Sequence, residues 1–259
     1  MTDAFALPHD GKVAVVTGAS QGLGRAIALE LARDGAAVAL ADRLPSDETR
    51  RLILEAGCVA ESFVVDIAVP DDVIRLAEEV ISTFGRTDIL INNAGIFPVI
   101  AWSDLDFAAW RQVMSVNLDG TFLMCKAFGP LMEQNGWGRI VSLATSAIGT
   151  GVTDFAHYIS SKMGVIGLTR ALASEYGPSG ITVNAVAPSL VRTPATIGRD
   201  RSPGGMSPAE EFALLTSMQA IKRSQEPEDI AGIVSFLATE KAAFLTGQCL
   251  FADGGIVRA

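Results

Sequence analysis

The sequence has few of the residues from which disulfide frameworks and metal centres are built. Its three cysteines, Cys58, Cys125 and Cys249, are scattered and odd in number, which predicts reduced, buried or half-buried thiols. The two histidines, His9 and His157, have no cysteine or carboxylate cluster beside them in the sequence, and His9 falls in an N-terminal segment that we expect to be loose. We therefore expect no catalytic metal ion.

Positive charge and long apolar runs are also scarce. The net charge of −9 and the pI near 4.7 argue against nucleic acid or an anionic membrane as a partner. No apolar run approaches the roughly 18–20 residues of a membrane span. The N-terminus MTDAFALPHDGK has no basic region followed by an apolar core, so we expect no signal peptide. Together these features predict a cytoplasmic protein that acts on a small molecule.

Short apolar runs alternate with amphipathic segments along the whole chain, without a linker or an internal repeat. This alternation predicts an α/β fold in which helices cover both faces of a doubly wound, seven-stranded parallel sheet, as one domain over residues 1–259. The strands are expected at 12–17, 36–41, 59–65, 88–92, 138–144, 181–186 and 248–252, and helices at 70–84, 104–133, 154–176 and 227–239.

The segment 189–217 interrupts this alternation, since it is rich in glycine, proline and charge. We expect a lid loop over a substrate, with a short helix after Ser207. Met206, Phe212 and Leu215 would then be apolar lid residues. The alternative is a disordered surface insertion.

The first apolar run, Lys12–Thr17, leads directly into a glycine-rich turn, TGASQGLG, which contains Gly18, Gly22 and Gly24. An amphipathic segment follows and ends at Gly35. A strand, a glycine turn and a helix in this order predict a nucleotide site, because the glycines let the backbone approach a pyrophosphate at the helix N-terminus. The spacing differs from the usual G-x-G-x-x-G, and such a turn alone can be a simple tight connection.

Asp42 ends the second predicted strand, eighteen residues after Gly24. A carboxylate there accepts hydrogen bonds from the adenosine ribose hydroxyls and repels a 2′-phosphate, which favours NAD as the cofactor. Arg43 follows at once and would favour the phosphate of NADP instead. The alternative is that Asp42 is a solvated residue at the end of the strand, paired with Arg43, and has no role in cofactor binding.

Tyr158 and Lys162 are four residues apart in the run YISSK, and Thr145 lies thirteen residues before the tyrosine. On a helix, positions i and i+4 share a face, so the phenol and the ammonium point into the same space. A nearby cation favours the phenolate, and we therefore expect the pKa of Tyr158 to fall towards the working pH. Such a phenol is a candidate general base for an alcohol proton. The alternative is an exposed Tyr/Lys pair.

The ordered motifs TGASQGLG, VVDI, NNAG, SVNLDG, YISSK and NAVAPSLVRT resemble those of the short-chain dehydrogenase/reductase family over essentially the whole chain. The resemblance implies a Rossmann-type fold, a nicotinamide cofactor and a catalytic set of Asn117, Thr145, Tyr158 and Lys162. It also implies the cofactor-binding residues, which are Gly18, Ser20, Gln21, Gly22, Leu23, Gly24, Asp42, Asp66, Ile67, Asn93, Ala94, Gly95, Tyr158, Lys162, Pro188, Val191 and Thr193.

Two positions depart from the family pattern. The family usually has serine where this chain has Thr145, which keeps the hydroxyl but adds a stiffening methyl group. Ser142 and Ser146 flank this position, and a shift of one residue would recruit Ser146 instead. Ser189 follows Pro188 where many relatives have glycine, which affects the local turn.

Further runs, NGWGRIV and the terminal GGIVR among them, resemble bacterial NAD-dependent dehydrogenases of aryl or cyclic secondary alcohols. Similar runs recur in relatives with other substrates, so the substrate does not follow from them. We expect an apolar pocket that suits a medium-sized hydrophobic alcohol better than a charged substrate. The candidate wall residues are Ile96, Phe97, Pro98, Ser146, Ala147, Ile148, Phe155, Leu190, Met206 and Phe212.

The resemblance implies that Tyr158 takes the hydroxyl proton, that Thr145 binds the substrate oxygen, and that Lys162 holds the nicotinamide ribose. Asn117 would position a water on the proton route, unless it only distorts its helix. The competing functions are an NADP-dependent carbonyl or 3-oxoacyl reductase and a catalytically silent NAD(H)-binding sensor. The family also implies a homotetramer that pairs the two long helices and the C-terminal strand region.

Overall fold

The computed structural model describes residues 7–258, and its seven strands form one parallel sheet in the order β3-β2-β1-β4-β5-β6-β7. The predicted seven-stranded sheet is confirmed, with strand ends within two residues of those expected. The domain bounds and the signal-peptide prediction also concern residues 1–6 and 259, which lie outside the described residues. The strands are β1 (Val13–Thr17), β2 (Ala37–Asp42), β3 (Ala60–Val64), β4 (Ile89–Asn92), β5 (Gly138–Leu143), β6 (Ile181–Pro188) and β7 (Cys249–Ala252).

Helices cover both faces of this sheet, with α1 and α10 on one face and α3, α5 and α7 on the other. Consecutive strand residues therefore both lie in apolar cores, as Val15 and Val16 do on opposite faces of β1. No helix between residues 7 and 258 is long and apolar enough to cross a membrane. The helices are α1 (Gly22–Arg33), α2 (Asp47–Glu55), α3 (Pro70–Phe84), α4 (Phe107–Met114), α5 (Gly120–Asn135), α6 (Ala147–Thr150), α7 (Ala156–Tyr176), α8 (Pro194–Ile197), α9 (Pro208–Met218) and α10 (Pro227–Leu237).

Local sequence signals explain where several helices begin. Pro70 and Pro227 open α3 and α10, where a missing N–H costs nothing and the fixed φ suits a helix. The short helix expected after Ser207 is α9, which starts with a capping box. The Ser207 hydroxyl accepts a hydrogen bond from the backbone N–H of Glu210, and the Glu210 carboxylate accepts one from the backbone N–H of Ser207.

The predicted helix 104–133 is interrupted. Two α-helices, α4 and α5, are joined by a π-helical turn at Ser115–Asp119, and Asp106 caps the first of them through a 2.7 Å hydrogen bond from the backbone N–H of Ala109. The wider turn surrounds Asn117, so the helix is distorted at this residue, as in the alternative to a water-positioning role. Single π-helical turns of this kind are frequent at functional sites.

The expectation that His9 lies in a loose segment is wrong. Its side chain is fully buried, and its Nε2 atom is 2.9 Å from the hydroxyl of Ser235 on α10. That hydroxyl donates in turn to the carboxylate of Asp34 at the end of α1. The segment before β1 is therefore fastened to the two helices on one face of the sheet, and burial lowers the pKa of His9.

The order of the strands creates a crevice at the carboxyl ends of the central strands β1 and β4. β1 lies between β2 and β4, so the direction in which successive strands are added reverses between β1 and β4. In open α/β sheets, ligands bind in the crevice outside the carboxyl ends of the strands at such a switch point. The glycine turn after β1 and the NNAG segment after β4 meet here.

Candidate active site

The turn between β1 and α1 brings its glycines to the crevice in a conformation that side chains would prevent. Gly18 has a φ of +68°, and a Cβ on Gly24 would lie 2.0 Å from the carbonyl oxygen of Gly18. A Cβ on Gly22 would come within 3.3 Å of Thr193 across the crevice. The gap that glycine leaves there, beside the N-terminus of α1, fits a pyrophosphate group.

Hydrogen bonds lock the glycine turn to the NNAG segment. The Thr17 hydroxyl accepts from the backbone N–H groups of Asn93 and Ala94 at 2.9 and 3.0 Å, and the Asn93 amide donates to the Thr17 carbonyl at 2.9 Å. Asn92 donates to the hydroxyl of Ser142 at 3.2 Å and so ties β4 to β5. Ser142 is thereby held inside the sheet, which leaves Thr145 and Ser146 as the hydroxyls beyond the end of β5.

Asp42, the last residue of β2, is held against the glycine turn. Its carboxylate accepts hydrogen bonds from the backbone N–H groups of Ser20 at 3.0 Å and of Leu44 at 3.1 Å. The guanidinium of Arg43 lies 3.9 Å from the carboxylate of Asp66 instead. Asp42 is thus not paired with Arg43, and both residues line the crevice.

Tyr158 and Lys162 lie on α7, and Thr145 lies just beyond β5. All three side chains line one cavity, as the spacing predicts. Lys162 is only 5% exposed, so the two residues are not an exposed surface pair. The rings of Phe97 and Phe155 lie beside the tyrosine, with centroids 6.0 and 5.2 Å from its own. The phenol therefore faces an aromatic part of the cavity.

Asn117 is fully buried and does not line the cavity. Its Oδ1 accepts from the backbone N–H of Ile96 at 2.8 Å, and its Nδ2 donates to the Ile96 carbonyl at 2.9 Å. The same amide group donates to the hydroxyl of Ser161 on α7 at 3.1 Å. The side chain thus joins the segment after NNAG to the helix that carries Tyr158 and Lys162.

The pKa values of the two α7 residues shift in opposite directions. Burial raises the pKa of Tyr158, and the Thr145 side chain and the charge of Arg199 offset this only in part. Burial also lowers the pKa of Lys162 to about 8, although its Nζ donates to the Leu143 carbonyl at 2.6 Å. The expected fall in the tyrosine pKa is therefore wrong for the residues of the chain alone, because desolvation of the phenolate outweighs the hydrogen bond with Thr145 and the charge of Arg199.

The crevice and the catalytic candidates form one continuous cavity of about 520 Å³. Every residue expected to bind the cofactor lines it, as do Thr145 and six of the expected substrate-pocket residues. The lining residues from the cofactor set are Gly18, Ser20, Gln21, Gly22, Leu23, Gly24, Asp42, Asp66, Ile67, Asn93, Ala94, Gly95, Tyr158, Lys162, Pro188, Val191 and Thr193, and those from the pocket set are Ile96, Phe97, Ser146, Ala147, Phe155 and Leu190.

Four expected pocket residues, Pro98, Ile148, Met206 and Phe212, do not line the cavity, so their assignment to its wall is wrong. Ile148 packs into a small apolar cluster around β6 and α7. Phe212 is buried, with the guanidinium of Arg192 5.1 Å from its ring. Met206 closes a turn in which its carbonyl accepts from the backbone N–H of Ser202 at 2.8 Å. Apolar character in a sequence does not distinguish a pocket wall from a core, and the Ile148 and Phe212 side chains serve packing.

A charged pair in the cavity wall was missed by the sequence analysis. Arg199 and Glu211 form a salt bridge with side chains only 11% and 9% exposed, and both line the cavity. The wall is mostly apolar, as expected, but it also contains this charged pair. The two residues are twelve positions apart in a charge-rich segment, where charge usually indicates solvent exposure, so no spacing signal revealed the pair.

The segment 189–217 contains two helices, α8 and α9, so the alternative of a disordered surface insertion is wrong. Gln225 accepts a hydrogen bond at 2.9 Å from the backbone N–H of Ser189, the position where relatives often have glycine. Further along, the Asp154 carboxylate pairs with Arg201 at 3.0 Å and accepts from the N–H of Gly204 at 3.1 Å. The segment is thus tied to the rest of the domain at several points.

Comparison with known proteins gives consistent matches over nearly the whole chain. Residues 18–257 match the family model described as enoyl-(acyl carrier protein) reductase. The (2S)-[(R)-hydroxy(phenyl)methyl]succinyl-CoA dehydrogenase subunit of Thauera aromatica is 39% identical over 249 residues, which are 94% of this chain and 96% of that protein. The cis-4-hydroxycyclohexanecarboxylate dehydrogenase of Sinomonas cyclohexanicum is 38% identical over 257 residues, 98% of each chain.

A solved structure from Beutenbergia cavernae, described as an NAD(P)-dependent gluconate 5-dehydrogenase with NADP bound at low occupancy, has the same fold. Its TM-score is 0.88 and its identity 38%, over 97% of this chain and 98% of that one. Strand order, cofactor turn and sequence similarity agree. The chain therefore belongs to the short-chain dehydrogenase/reductase family and is an oxidoreductase that uses a nicotinamide cofactor on alcohols, ketones or 3-oxoacyl compounds.

Proposed function

We propose that this protein is an NAD-dependent dehydrogenase that interconverts a hydrophobic, aryl or cyclic secondary alcohol and its ketone. The observation that carries the proposal is that Thr145, Tyr158 and Lys162 line the same cavity as the glycine turn and Asp42. The aromatic rings of Phe97 and Phe155 beside Tyr158, and the aryl and cyclic alcohols named for the two curated relatives, support this substrate class.

Each catalytic candidate has a distinct role in this proposal. Thr145 donates a hydrogen bond to the substrate oxygen, and Tyr158 takes the hydroxyl proton as general base. The nicotinamide, when bound, supplies the acceptor for the hydride of the carbinol carbon. Lys162 holds the nicotinamide ribose, and its charge favours the phenolate form of Tyr158. Asn117 holds Ile96 against α7, and its proposed role in positioning a water on the proton route rests on the family membership alone, because its side chain does not line the cavity.

Thr145 is the proposed hydroxyl donor because its side chain acts on Tyr158, whose pKa it lowers. Ser146 lines the same cavity and is the competing donor. We expect Thr145→Val to lower kcat by about 100-fold, as for the loss of one catalytic hydrogen bond. Ser146→Ala is the matched control and should change kcat by less than about threefold. The reverse order of effects in steady-state assays would assign the donor to Ser146.

The choice of NAD rests on Asp42. Its carboxylate is fixed by the backbone N–H groups of Ser20 and Leu44 at the end of β2, where the adenosine ribose of a bound dinucleotide lies. A carboxylate at that point accepts from the ribose hydroxyls and repels a 2′-phosphate. The charge of Arg43 is shared with Asp66, which weakens its attraction for that phosphate.

An NADP-dependent carbonyl or 3-oxoacyl reductase is the second candidate. Arg43 favours it, because this exposed guanidinium lines the cavity directly beside Asp42. The description of the matching family model also concerns acyl-carrier substrates. A non-catalytic NAD(H) sensor is a third reading, which predicts cofactor binding without turnover.

The deciding experiment follows NADH or NADPH formation by absorbance, with NAD and NADP supplied separately. A panel of aryl, cyclic and aliphatic secondary alcohols is tested at about pH 9, where proton loss from the alcohol is favoured. We expect turnover of aryl or cyclic alcohols with NAD and little with NADP. Activity with NADP alone would overturn the cofactor assignment. Tight NADH binding without turnover of any alcohol would favour the sensor.

We also propose that the protein acts in the cytoplasm as a homotetramer paired through its long helices and its C-terminal strand region. Large apolar side chains on α4, α5 and α7 support such pairing, since Phe107 is 76%, Phe122 50% and Met163 51% exposed in the single chain. Light scattering should give four times the chain mass of 27.2 kDa. A monomeric mass would contradict the proposal.

A further inference from the structure

The salt bridge between Arg199 and Glu211 is a charged feature of the cavity wall that the proposed reaction does not use. Both side chains come from the segment 189–217, and both line the cavity that contains Tyr158. The charge of Arg199 lowers the pKa of Tyr158, so the guanidinium lies within electrostatic reach of the phenol. A substrate whose carbinol contacts Tyr158 therefore extends towards a cation.

The hydrogen bonds of Arg199 leave one nitrogen of its guanidinium available. Nε donates to the hydroxyl of Ser202 at 3.2 Å, and Nη2, which is buried, faces the carboxylate of Glu211. Within residues 7–258 the structure gives Nη1 no hydrogen-bond partner. Nη1 is therefore the charged donor that remains for a carboxylate oxygen in the cavity.

The salt bridge is not explained by stability. Removing two charges from water has a large free-energy cost, which their mutual attraction offsets only in part. A buried ion pair therefore contributes less to stability than a well-packed apolar pair of similar volume. The surrounding segment already has other attachments, namely the Arg201–Asp154 pair and the hydrogen bond from the Ser189 N–H to Gln225. A guanidinium kept in a cavity wall under these conditions indicates recognition of a ligand.

We propose that Arg199 binds a carboxylate carried by the substrate, so that the enzyme acts on hydroxy acids whose apolar body separates the carbinol from the carboxylate. The carbinol lies at Tyr158, the apolar body beside Phe97 and Phe155, and the carboxylate at Nη1 of the Arg199 guanidinium. This inference rests on the proposed alcohol dehydrogenase function and adds the second functional group of the substrate.

Glu211 has a positioning role in this arrangement. Its carboxylate fixes the side edge of the guanidinium and balances its charge, which reduces the desolvation cost of Arg199 before the substrate arrives. A substrate carboxylate accepts a charge-assisted hydrogen bond from Nη1 of Arg199, whereas an ester or ketone oxygen offers a weaker, uncharged acceptor. The enzyme therefore prefers a substrate with an ionised carboxylate over the corresponding ester.

The test measures binding without turnover, so that it does not depend on the reaction itself. Unreactive amide analogues of aryl ketones, namely 3- and 4-carbamoylbenzoate and uncharged benzamide, are titrated into the protein saturated with NADH or NADPH, whichever binds. Quenching of the cofactor fluorescence reports binding. The better carbamoylbenzoate isomer should bind at least about tenfold more tightly than benzamide, as for a buried charge-assisted contact.

Two variants assign this preference to the salt bridge. The double variant Arg199→Gln/Glu211→Gln removes both charges together, so no buried charge is left unpaired, and it should abolish the preference. Arg201→Gln removes an exposed arginine of the same segment and should keep it. In the unmodified protein, the proposal is overturned if benzamide binds as tightly as both carbamoylbenzoates, or if neither carbamoylbenzoate binds. In the variants, it is overturned if the preference for the carboxylate survives in the double variant, or if Arg201→Gln loses that preference equally. Failure of the dehydrogenase function would instead appear as absent turnover with binding preserved.

Discussion

The two ends of the cavity are built from different parts of the chain. At the cofactor end, main-chain atoms form the surface, as in the glycine turn, and side chains such as Asn93 and Thr17 hold that backbone in place. At the substrate end, side chains form the surface, with Phe97 and Phe155 beside the salt bridge of Arg199 and Glu211. A backbone surface suits the pyrophosphate, which is the same group in NAD and NADP. A side-chain surface can be altered by single substitutions, which change the substrates that it accepts.

This difference predicts how each end responds to substitution. At the cofactor end an added methyl group meets backbone that cannot move, so even small changes are severe. At the substrate end a substitution changes which molecule is preferred and leaves the fold intact. Tyr158 lies where the two ends meet, and its loss should affect chemistry alone.

The largest effect is expected from Tyr158→Phe. Removal of the phenolic oxygen removes the general base, and kcat should fall by about 1,000-fold while NADH affinity stays within about threefold. Tyr176→Phe is the matched control, because Tyr176 is the second tyrosine of the sequence and its hydroxyl donates to the Cys125 carbonyl away from the cavity. If more than a few per cent of kcat remained in Tyr158→Phe, another residue would have to be the base.

Gly24→Ala tests the cofactor end separately. Its Cβ would lie 2.0 Å from the Gly18 carbonyl, so the turn must open, and NADH affinity should fall by about 100-fold or more. Gly232→Ala on α10 is the control, since no atom lies within 4 Å of the added Cβ. Titration of cofactor fluorescence measures both. Equal affinities in the two variants would show that the close approach at Gly24 is unimportant.

Asp42→Asn should alter selectivity at the same end without disturbing the fold. The amide keeps an oxygen that accepts from the Ser20 N–H but loses the negative charge. We expect the ratio of kcat/KM for NADP over NAD to rise about tenfold, since one exposed charge contributes roughly 1 kcal/mol. Asp47→Asn, at the exposed start of α2, should leave the ratio unchanged. An unaltered ratio in Asp42→Asn would remove this residue as the selector.

The smallest effect concerns stability and its dependence on pH. Burial lowers the pKa of Lys162 from 10.5 to about 8. Below pH 8 both folded and unfolded chains carry this proton, and the burial penalty is fully present. Between about pH 8 and 10.5 the unfolded chain binds more protons, so the contribution of Lys162 to stability rises with pH. Lys162→Met should remove this dependence.

At pH 7 we expect Lys162→Met to raise the melting temperature by about 2–4 °C, because roughly 1 kcal/mol of burial penalty remains after the lost hydrogen bond to Leu143 is offset. The difference from the unmodified protein should shrink above pH 8 and reverse before pH 10.5, because a pKa shift of this size corresponds to about 3 kcal/mol. Lys126→Met, on the exposed side of α5, should show no such pH dependence. A variant that is less stable than the unmodified protein at pH 7 would contradict the assigned penalty.

The sheet and the cofactor end were largely predictable from the sequence, because their signals are local. Apolar runs bounded by turns predicted all seven strands, and glycine spacing predicted the turn before α1. The break at Ser115–Asp119 was not predicted as a π-helical turn, since it depends on the contacts of Asn117 with Ile96 and α7. Local sequence contains no information about such a distant partner.

The substrate end was less predictable for a physical reason. Ile148, Met206 and Phe212 are apolar, and burial in a core or exposure to a pocket satisfies such side chains equally well. Arg199 and Glu211 were missed because charge usually indicates solvent, and their pairing depends on how the segment 189–217 folds back over the cavity. Side chains that meet only through tertiary structure leave no periodic pattern in the sequence.

The most direct test of the account is to follow the hydrogen of the carbinol carbon. The protein is incubated with NAD and an aryl secondary alcohol that carries deuterium at that carbon, and the products are analysed by NMR and mass spectrometry. The account predicts that ketone and reduced cofactor form in equal amounts, with the deuterium recovered in the reduced cofactor and with Tyr158→Phe inactive. Deuterium released to the solvent, or cofactor bound without any ketone from the alcohols of the panel, would contradict it.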